Sequence, residues 1–269
     1  MPTIRANGCD FRYEMTGAGR DLVFIHGEIH GLEYWEHQIA DFARDHRCFA
    51  YNRRGHAGTS WTEYGFSLVN QTRDLEQLIE RLGIERPVIV ALAFGTTIAV
   101  NYALQNPGKV RGLVLGAWSE LHDAMQYFER WRGYSERAAA VLEREGRDAL
   151  IALLRAEGGK SIYKVIPVES PVREKVIRMF ASHPLGEYTR GMLEFGLSVP
   201  NLVPAMRDLD VPALGVCGSL DPYPDRPELL SGMKRFREAP SIAGAGRFVN
   251  WEKPAEFNAA VRDFIRRLA

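Results

Sequence analysis

The stretch Ala91-Leu92-Ala93-Phe94-Gly95 has a small residue at each end of a five-residue frame. It lies between the apolar run Val88 to Val90 and a helix-like segment, Thr96 to Leu104. Such a frame lets a strand turn sharply into a helix while the two backbones nearly touch. In the pattern G-x-S-x-G the same turn exposes an attacking hydroxyl. Here the centre is Ala93, whose methyl offers neither a lone pair nor a removable proton. Chemistry must then come from other side chains. Glu28 and His30 stand two residues apart in the segment HGEIHG. One is a carboxylate able to act as general acid or base, the other an imidazole that titrates near neutrality. Each also has a plainer reading: Glu28 as a solvated loop residue capping the next helix, His30 as a surface or helix-start histidine.

The elements that must position these groups follow from the pattern of the chain. Thr3 to Ala6 and Cys9 to Met15 read as antiparallel strands joined at Asn7-Gly8, a strong hairpin dipeptide. Asp21 to Ile25, Arg47 to Tyr51, Val88 to Val90, Val110 to Leu115 and Val211 to Gly218 read as strands, most of them buried on both faces. Leu68 to Leu82 has helical periodicity and stops at Gly83. Further helices are expected over Pro227 to Phe236 and Pro254 to Leu268, with a short strand near Ala239 to Ala243 between them. From Ser119 to about Leu202 strand runs vanish, and Arg, Glu, Ala and aromatic residues recur at helical spacing. Strands alternating with helices imply a mostly parallel sheet covered on both faces. The expected organisation is a core of residues 1–118 and 203–269 with a helical insertion over 119–202.

Composition narrows the classes. Lys and Arg total 34 and so do Asp and Glu, so no charge excess points to nucleic acid or an anionic membrane. No apolar run is long enough to span a bilayer, and the segment MPTIRANGCDFRYEM is polar and strand-like, unlike a signal peptide. Cys9, Cys48 and Cys217 lie in or beside apolar strands without metal-ligand spacing, which favours reduced, buried thiols and a cytoplasmic setting. Neither a metal nor an organic cofactor is expected, and oligomeric state is not legible.

Four further motifs appear in order. His26-Gly27 is followed by Trp35 and Gln38; Asn52-Arg53-Arg54-Gly55-His56-Ala57-Gly58-Thr59-Ser60 forms a polar loop after a strand; Gly218-Ser219-Leu220-Asp221-Pro222 forms a turn; Gly244-Ala245-Gly246-Arg247-Phe248 leads into Trp251-Glu252-Lys253-Pro254. With the elbow frame, these resemble the HG…W…Q, D-x-R-G-x-G-x-S, G-x-x-D-P and G-x-G-H-F…E-x-P segments of the α/β-hydrolase superfamily, in particular its small lidded members. The resemblance spans nearly the whole chain outside the insertion, which it casts as a lid. It implies an α/β-hydrolase fold, with oxyanion-hole amides at Glu28 and Phe94 and the acid at Asp221. The nucleophile position falls on Ala93 and the histidine position on Arg247, which stays protonated and cannot act as a base. Glu120 matches an alternative acid position, or is simply a polar residue opening the lid. Asn52 replaces the usual Asp, and Arg54 and His56 belong to a loop given no catalytic part.

The resemblance also directs Arg247 toward Asp221, as a buried ion pair filling the old relay or as an anchor for a ligand oxyanion. Candidate ligand contacts are Trp35 and Trp118 near the pocket floor and His122, Tyr127, Trp131, Tyr188 and Met192 in the insertion. Aromatic and Met residues at helical spacing more often form the core of a lid than a ligand wall. With the covalent apparatus replaced and the amide donors kept, the leading expectation is a cofactor-free, non-hydrolytic enzyme. It would be a cyclase, lyase or isomerase acting on a small, largely apolar, oxygenated metabolite, as in secondary metabolism. The alternatives are an inactive pseudo-hydrolase serving as ligand sensor or scaffold, and a hydrolase that activates water with a carboxylate.

Overall fold

The computed structural model describes residues 1–28, 30–117, 124–156, 170–221 and 232–268, with the side chains of 124–128 and 130 left aside. Its centre is an eight-stranded sheet in the order β1-β2-β4-β3-β5-β6-β7-β8. The strands are β1 (Thr3–Ala6), β2 (Cys9–Thr16), β3 (Arg20–Ile25), β4 (His46–Tyr51), β5 (Val88–Leu92), β6 (Gly112–Gly116), β7 (Ala213–Val216) and β8 (Phe236–Glu238). The β1–β2 and β2–β4 pairs are antiparallel, and the remainder of the sheet is parallel. The hairpin turns at Asn7 and Gly8, both with positive φ (42° and 75°), as the tight turn between twisted strands requires. Strands β5 and β6 are buried at every position, which is why they read as unbroken apolar runs.

Helices α1 (Glu36–Phe42), α2 (Leu68–Arg81), α3 (Phe94–Gln105), α9 (Val249–Glu252) and α10 (Pro254–Arg266) cover the sheet. Between β6 and β7 the chain is helical: α4 (Ala124–Glu145), α5 (Arg147–Ala156), α6 (Arg173–Ala181), a π-helical turn at Glu187–Gly191, α7 (Met192–Ser198) and α8 (Val203–Met206). No described helix is long and apolar enough to cross a membrane.

Three expectations need correcting. The strand placed near Ala239 to Ala243 is Phe236–Glu238, with only an isolated bridge from Gly218 to Ile242 beyond it. Phe236 is therefore strand rather than helix; most of the helix expected from Pro227 falls outside the described residues. Strand β8 is three residues long with little apolar character, so its pattern was too short to read. Finally, Cys217 is half-exposed, whereas Cys9 and Cys48 are buried as expected, and all three are free thiols.

Candidate active site

Strand β5 ends at Leu92 and α3 begins at Phe94, so Ala93 alone makes the turn. Its backbone sits at φ 50°, ψ −125°, a region that L-residues avoid at a cost of roughly 1–3 kcal/mol. The amide of Ala93 donates to Gly116 O at 2.9 Å, and its carbonyl accepts from Thr96 N at 3.0 Å. Gly95 explains why the frame must end in a small residue: a Cβ there would strike the carbonyl oxygens of Ile25 and His26. Ala117, just beyond the end of neighbouring β6, is also strained (φ 51°). Both outliers thus lie past the carboxyl ends of adjacent central strands.

The loop after β3 faces this turn. His26 accepts Arg53 N–H at Nε2 (2.9 Å), so its proton lies on Nδ1, which donates to Gly27 O at 2.7 Å. In a trans peptide the carbonyl and the next N–H point opposite ways. Fixing Gly27 O against the His26 ring therefore turns the Glu28 N–H away from it. Gly27 packs beside the elbow: a Cβ on it would lie 2.7 Å from Ala93 Cβ and 3.0 Å from His30 Nδ1. His30 is buried between the rings of Tyr34 (4.5 Å), Phe248 (5.3 Å) and Phe180 (5.6 Å). Burial first, then the charges of His183, Arg247 and Arg53, push it well below its ordinary pKa, so it is a neutral imidazole.

Arg247 reaches Asp221, with Nη1 3.4 Å from Oδ2, and donates from Nη2 to Ala117 O at 2.7 Å. Its loop is tied down by Glu252, which accepts Gly246 N–H at 2.7 Å and Ser170 Oγ–H at 3.2 Å. The Trp35 ring packs in the core against Phe24 (5.2 Å) and Tyr34 (5.4 Å), fully buried. Gln38 donates to Asn250 O and Asn258 Oδ1, each at 3.0 Å, and so pins the segment after Arg247. Asn52 holds the loop in place of an aspartate by accepting Leu32 N–H at 2.6 Å.

Of the ligand contacts named from sequence, Tyr188 and Met192 are buried inside the helical segment, and the Tyr188 hydroxyl donates to Phe180 O. Trp131 is half-buried against Tyr134. These three pack as that segment's own core. Trp118, His122 and Glu120 lie outside the described residues, as does the Tyr127 side chain.

Sequence reasoning missed the most unusual group. Glu28, buried rather than solvated, faces His56 and Glu187: His56 Nε2 lies 3.5 Å from Glu28 Oε1 and 3.6 Å from Glu187 Oε1. Arg53 Nη2 is 3.5 Å from Glu28 Oε2, while Arg53 Nε donates to Gln71 Oε1 at 2.8 Å. The guanidinium covers the Phe195 ring at 4.7 Å, and Phe195 in turn meets Phe94, the first residue of α3, at 5.0 Å. His56, treated as purely structural from sequence, also packs on His26 (4.7 Å) and His183 (5.0 Å). Burial lowers its pKa first, with His26 and Arg53 next. Burial, followed by the charge of Glu28, holds Glu187 well above the usual carboxylate range. No linear signal could have joined these residues, because the fold brings them from three separate segments. A crevice of about 790 Å³ lined by Arg20, Arg47, Arg86, Arg111 and Arg267 lies at the amino ends of the strands, away from this group.

Residues 22–164 match the alpha/beta hydrolase fold family, and the chain belongs to it. It is 22% identical to epoxide hydrolase 2 of Siraitia grosvenorii over 98% of both chains. It is 29% identical to a protein assigned as a carbamate hydrolase in Azorhizobium caulinodans, over 44% of this chain and 45% of that one. Among solved structures, the enol-lactonase from Burkholderia xenovorans superposes with a TM-score of 0.80 at 21% identity, covering 98% of this chain and 100% of that one. The fold expected from sequence is thereby established. The cyclase, lyase or isomerase expectation is corrected: the named relatives are hydrolases, which supports an enzyme and favours the hydrolytic alternative.

Proposed function

We propose that this chain is a hydrolase of small organic molecules that adds water directly, with no covalent intermediate on Ala93. The observation that carries this is a substitution of means. The elbow presents a methyl group, while the loops after β3 and β4 and the helical segment gather a carboxylate–imidazole–carboxylate set, Glu28, His56 and Glu187, out of solvent. An ester, lactone or epoxide is the substrate class, each having an oxygen on which charge develops when water adds. The amides of Glu28 and Phe94 would receive that oxygen; losing one such donor typically costs ~10²–10³ in kcat. Water would be held and activated at the buried set beside them. Arg247, braced by Asp221 and Ala117 O, would bind an anionic substituent or the released carboxylate. The helical segment between β6 and β7 would act as lid, since it supplies Glu187, Phe180 and Phe195 to this region.

The test is a panel of nitrophenyl esters, lactones and epoxides run in H₂¹⁸O under single-turnover conditions. Label should enter the product in the first turnover and never the protein. Glu28→Gln should lower kcat by ~10²-fold or more while leaving the fold intact by circular dichroism. Labelled protein, full activity in Glu28→Gln, or no turnover of any panel member by the folded chain would overturn the reading.

A further inference from the structure

We propose that Glu28, His56 and Glu187 form a binding site for one divalent first-row cation of the zinc class. The argument starts from which atoms face one another. His56 Nδ1 lies 3.1 Å from the Arg54 carbonyl, an acceptor only, so the ring proton resides there and donates to it. Nε2 therefore turns a bare lone pair toward Glu28 Oε1 and Glu187 Oε1, at 3.5 and 3.6 Å. These spacings exceed a hydrogen bond. Three acceptors converge, and among the described residues no amide, guanidinium or alcohol donor reaches Glu28 Oε1, His56 Nε2 or either Glu187 oxygen, although all are buried. Acceptors buried together and aimed at one point repel unless a cation or a shared proton lies between them.

The spacing suits a metal. Ligand bonds of about 2.0–2.2 Å in a tetrahedral arrangement put the ligand atoms roughly 3.4 Å apart. The three candidate donor atoms all lie within 4.8 Å of one another. Two carboxylates and an imidazole make a hard-to-borderline donor set, suited to zinc and its neighbours. The surroundings fit as well. A ligating histidine characteristically donates its other N–H to a carbonyl or carboxylate, as His56 does to Arg54 O. Glu28 meets Arg53 with its other oxygen, Oε2, at 3.5 Å. The backbone makes room, since a Cβ on Gly55 would lie 2.7 Å from Glu187 Oε2. The π-helical turn at Glu187–Gly191, a widened turn of the kind found at functional sites, aims that carboxylate inward.

Protein supplies three ligands, leaving a fourth position for water or a substrate oxygen. The cation would also join the loops after β3 and β4 to the helical segment, so binding should stabilise the fold. The catalytic consequence rests on the hydrolytic reading above; the binding does not, and the two are measured separately.

The experiment takes the full chain, strips it with a chelator, and titrates Zn²⁺ by calorimetry. Co²⁺ is added in parallel, and its visible absorption reports tetrahedral coordination. One equivalent should bind and raise Tm. Glu187→Gln and Glu28→Gln, near-isosteric changes, should each weaken binding at least tenfold, and His56→Asn should do the same. Absence of stoichiometric binding would overturn the proposal and leave a proton shared between carboxyls in its place. Binding unchanged in the folded variants would overturn it equally. Zinc bound without any hydrolysis of the panel keeps this site and removes the hydrolytic reading; chelator-insensitive hydrolysis by a chain that binds no stoichiometric zinc does the reverse.

Discussion

Removing Arg247 tests how the buried contact between Arg247 and Asp221 is held. Its side chain is 13% exposed and that of Asp221 2%, so the pair is largely out of water. Breaking a buried pair by deleting one partner costs ~3–5 kcal/mol, because a charge remains desolvated. Two observations place Arg247→Ala at the lower end. The Nη1–Oδ2 contact is long, at 3.4 Å, and Arg247 retains partial exposure. The variant also loses the 2.7 Å bond to Ala117 O, worth about 1.5–3 kcal/mol when the donor is charged. With that bond counted, the expected cost is ~4–5 kcal/mol. Asp221→Asn keeps that carbonyl bond and strands no anion, so it should cost only about 1–2 kcal/mol. Arg247→Met with Asp221→Asn removes both charges and should recover part of the loss. Urea unfolding with a constant m-value reads all three. If Arg247→Ala costs no more than Asp221→Asn, the carboxylate is not held by the guanidinium, and the ion-pair argument fails.

Other expectations follow from single contacts. Gly95→Ala should destabilise by on the order of 3 kcal/mol, since the new methyl meets the Ile25 and His26 carbonyls; an unchanged Tm would show that α3 does not press on β3. Arg262 bonds Asp41 at 3.0 Å and Asp45 at 2.9 Å, and its hydrogen bond is the first cause holding Asp45 below the usual aspartate pKa. A depressed folded pKa gives stability that is complete above the unfolded value, ~3.9, and lost as pH falls through the folded one. Arg262→Met should therefore lower stability at pH 7 and differ less from the parent below about pH 4; a gap that widens in acid would contradict this. In native protein a thiol reagent should label half-exposed Cys217 first. Cys48, buried and pushed up to about 12 by desolvation, should resist until unfolding, as peptide mapping of the labelled sites would show.

What could be read from the chain depended on whether neighbours in space were neighbours in sequence. The elbow was legible because its determinants, the small ends Ala91 and Gly95 and the apolar run before them, lie within a few residues. The Asn7-Gly8 hairpin was legible for the same reason, and both residues adopt positive φ. The loop motifs fixed the placement of Arg247 beside Asp221 through their order. The Glu28–His56–Glu187 group was not legible. Residue 187 sits in a stretch read only as Arg, Glu, Ala and aromatic residues at helical spacing, and tertiary packing turns it inward to 1% exposure. Glu28 was singled out for its position, yet its partners could not be named. The aromatic stripe illustrates the converse: Tyr188 and Met192 at helical spacing fill the segment's interior, as apolar residues on a packed helix usually do.

The persistence of strain at Ala93 has a physical explanation independent of any attacking group. The turn is enforced by the approach of α3 to β3, where Gly95 lies against the carbonyls of Ile25 and His26. It is also held by the Ala93 amide, which is committed to Gly116 O at 2.9 Å. Those contacts belong to the sheet and helix, so the backbone at residue 93 stays near φ 50° whatever side chain it carries. An amide at the start of α3 is thereby presented beside the Glu28 loop with or without a hydroxyl between them. Under the proposed hydrolytic function, that amide would stabilise negative charge on oxygen without a hydroxyl at residue 93, provided another group delivers water. Ala93→Gly separates these features. It relieves strain of roughly 1–3 kcal/mol while losing about 0.8 kcal/mol of methyl burial and 0.4–1 kcal/mol to a freer unfolded chain. Stability should therefore change by no more than about 2 kcal/mol, and hydrolysis of the panel should persist. Loss of all turnover in a stable Ala93→Gly variant would show that residue 93 contributes more than its backbone.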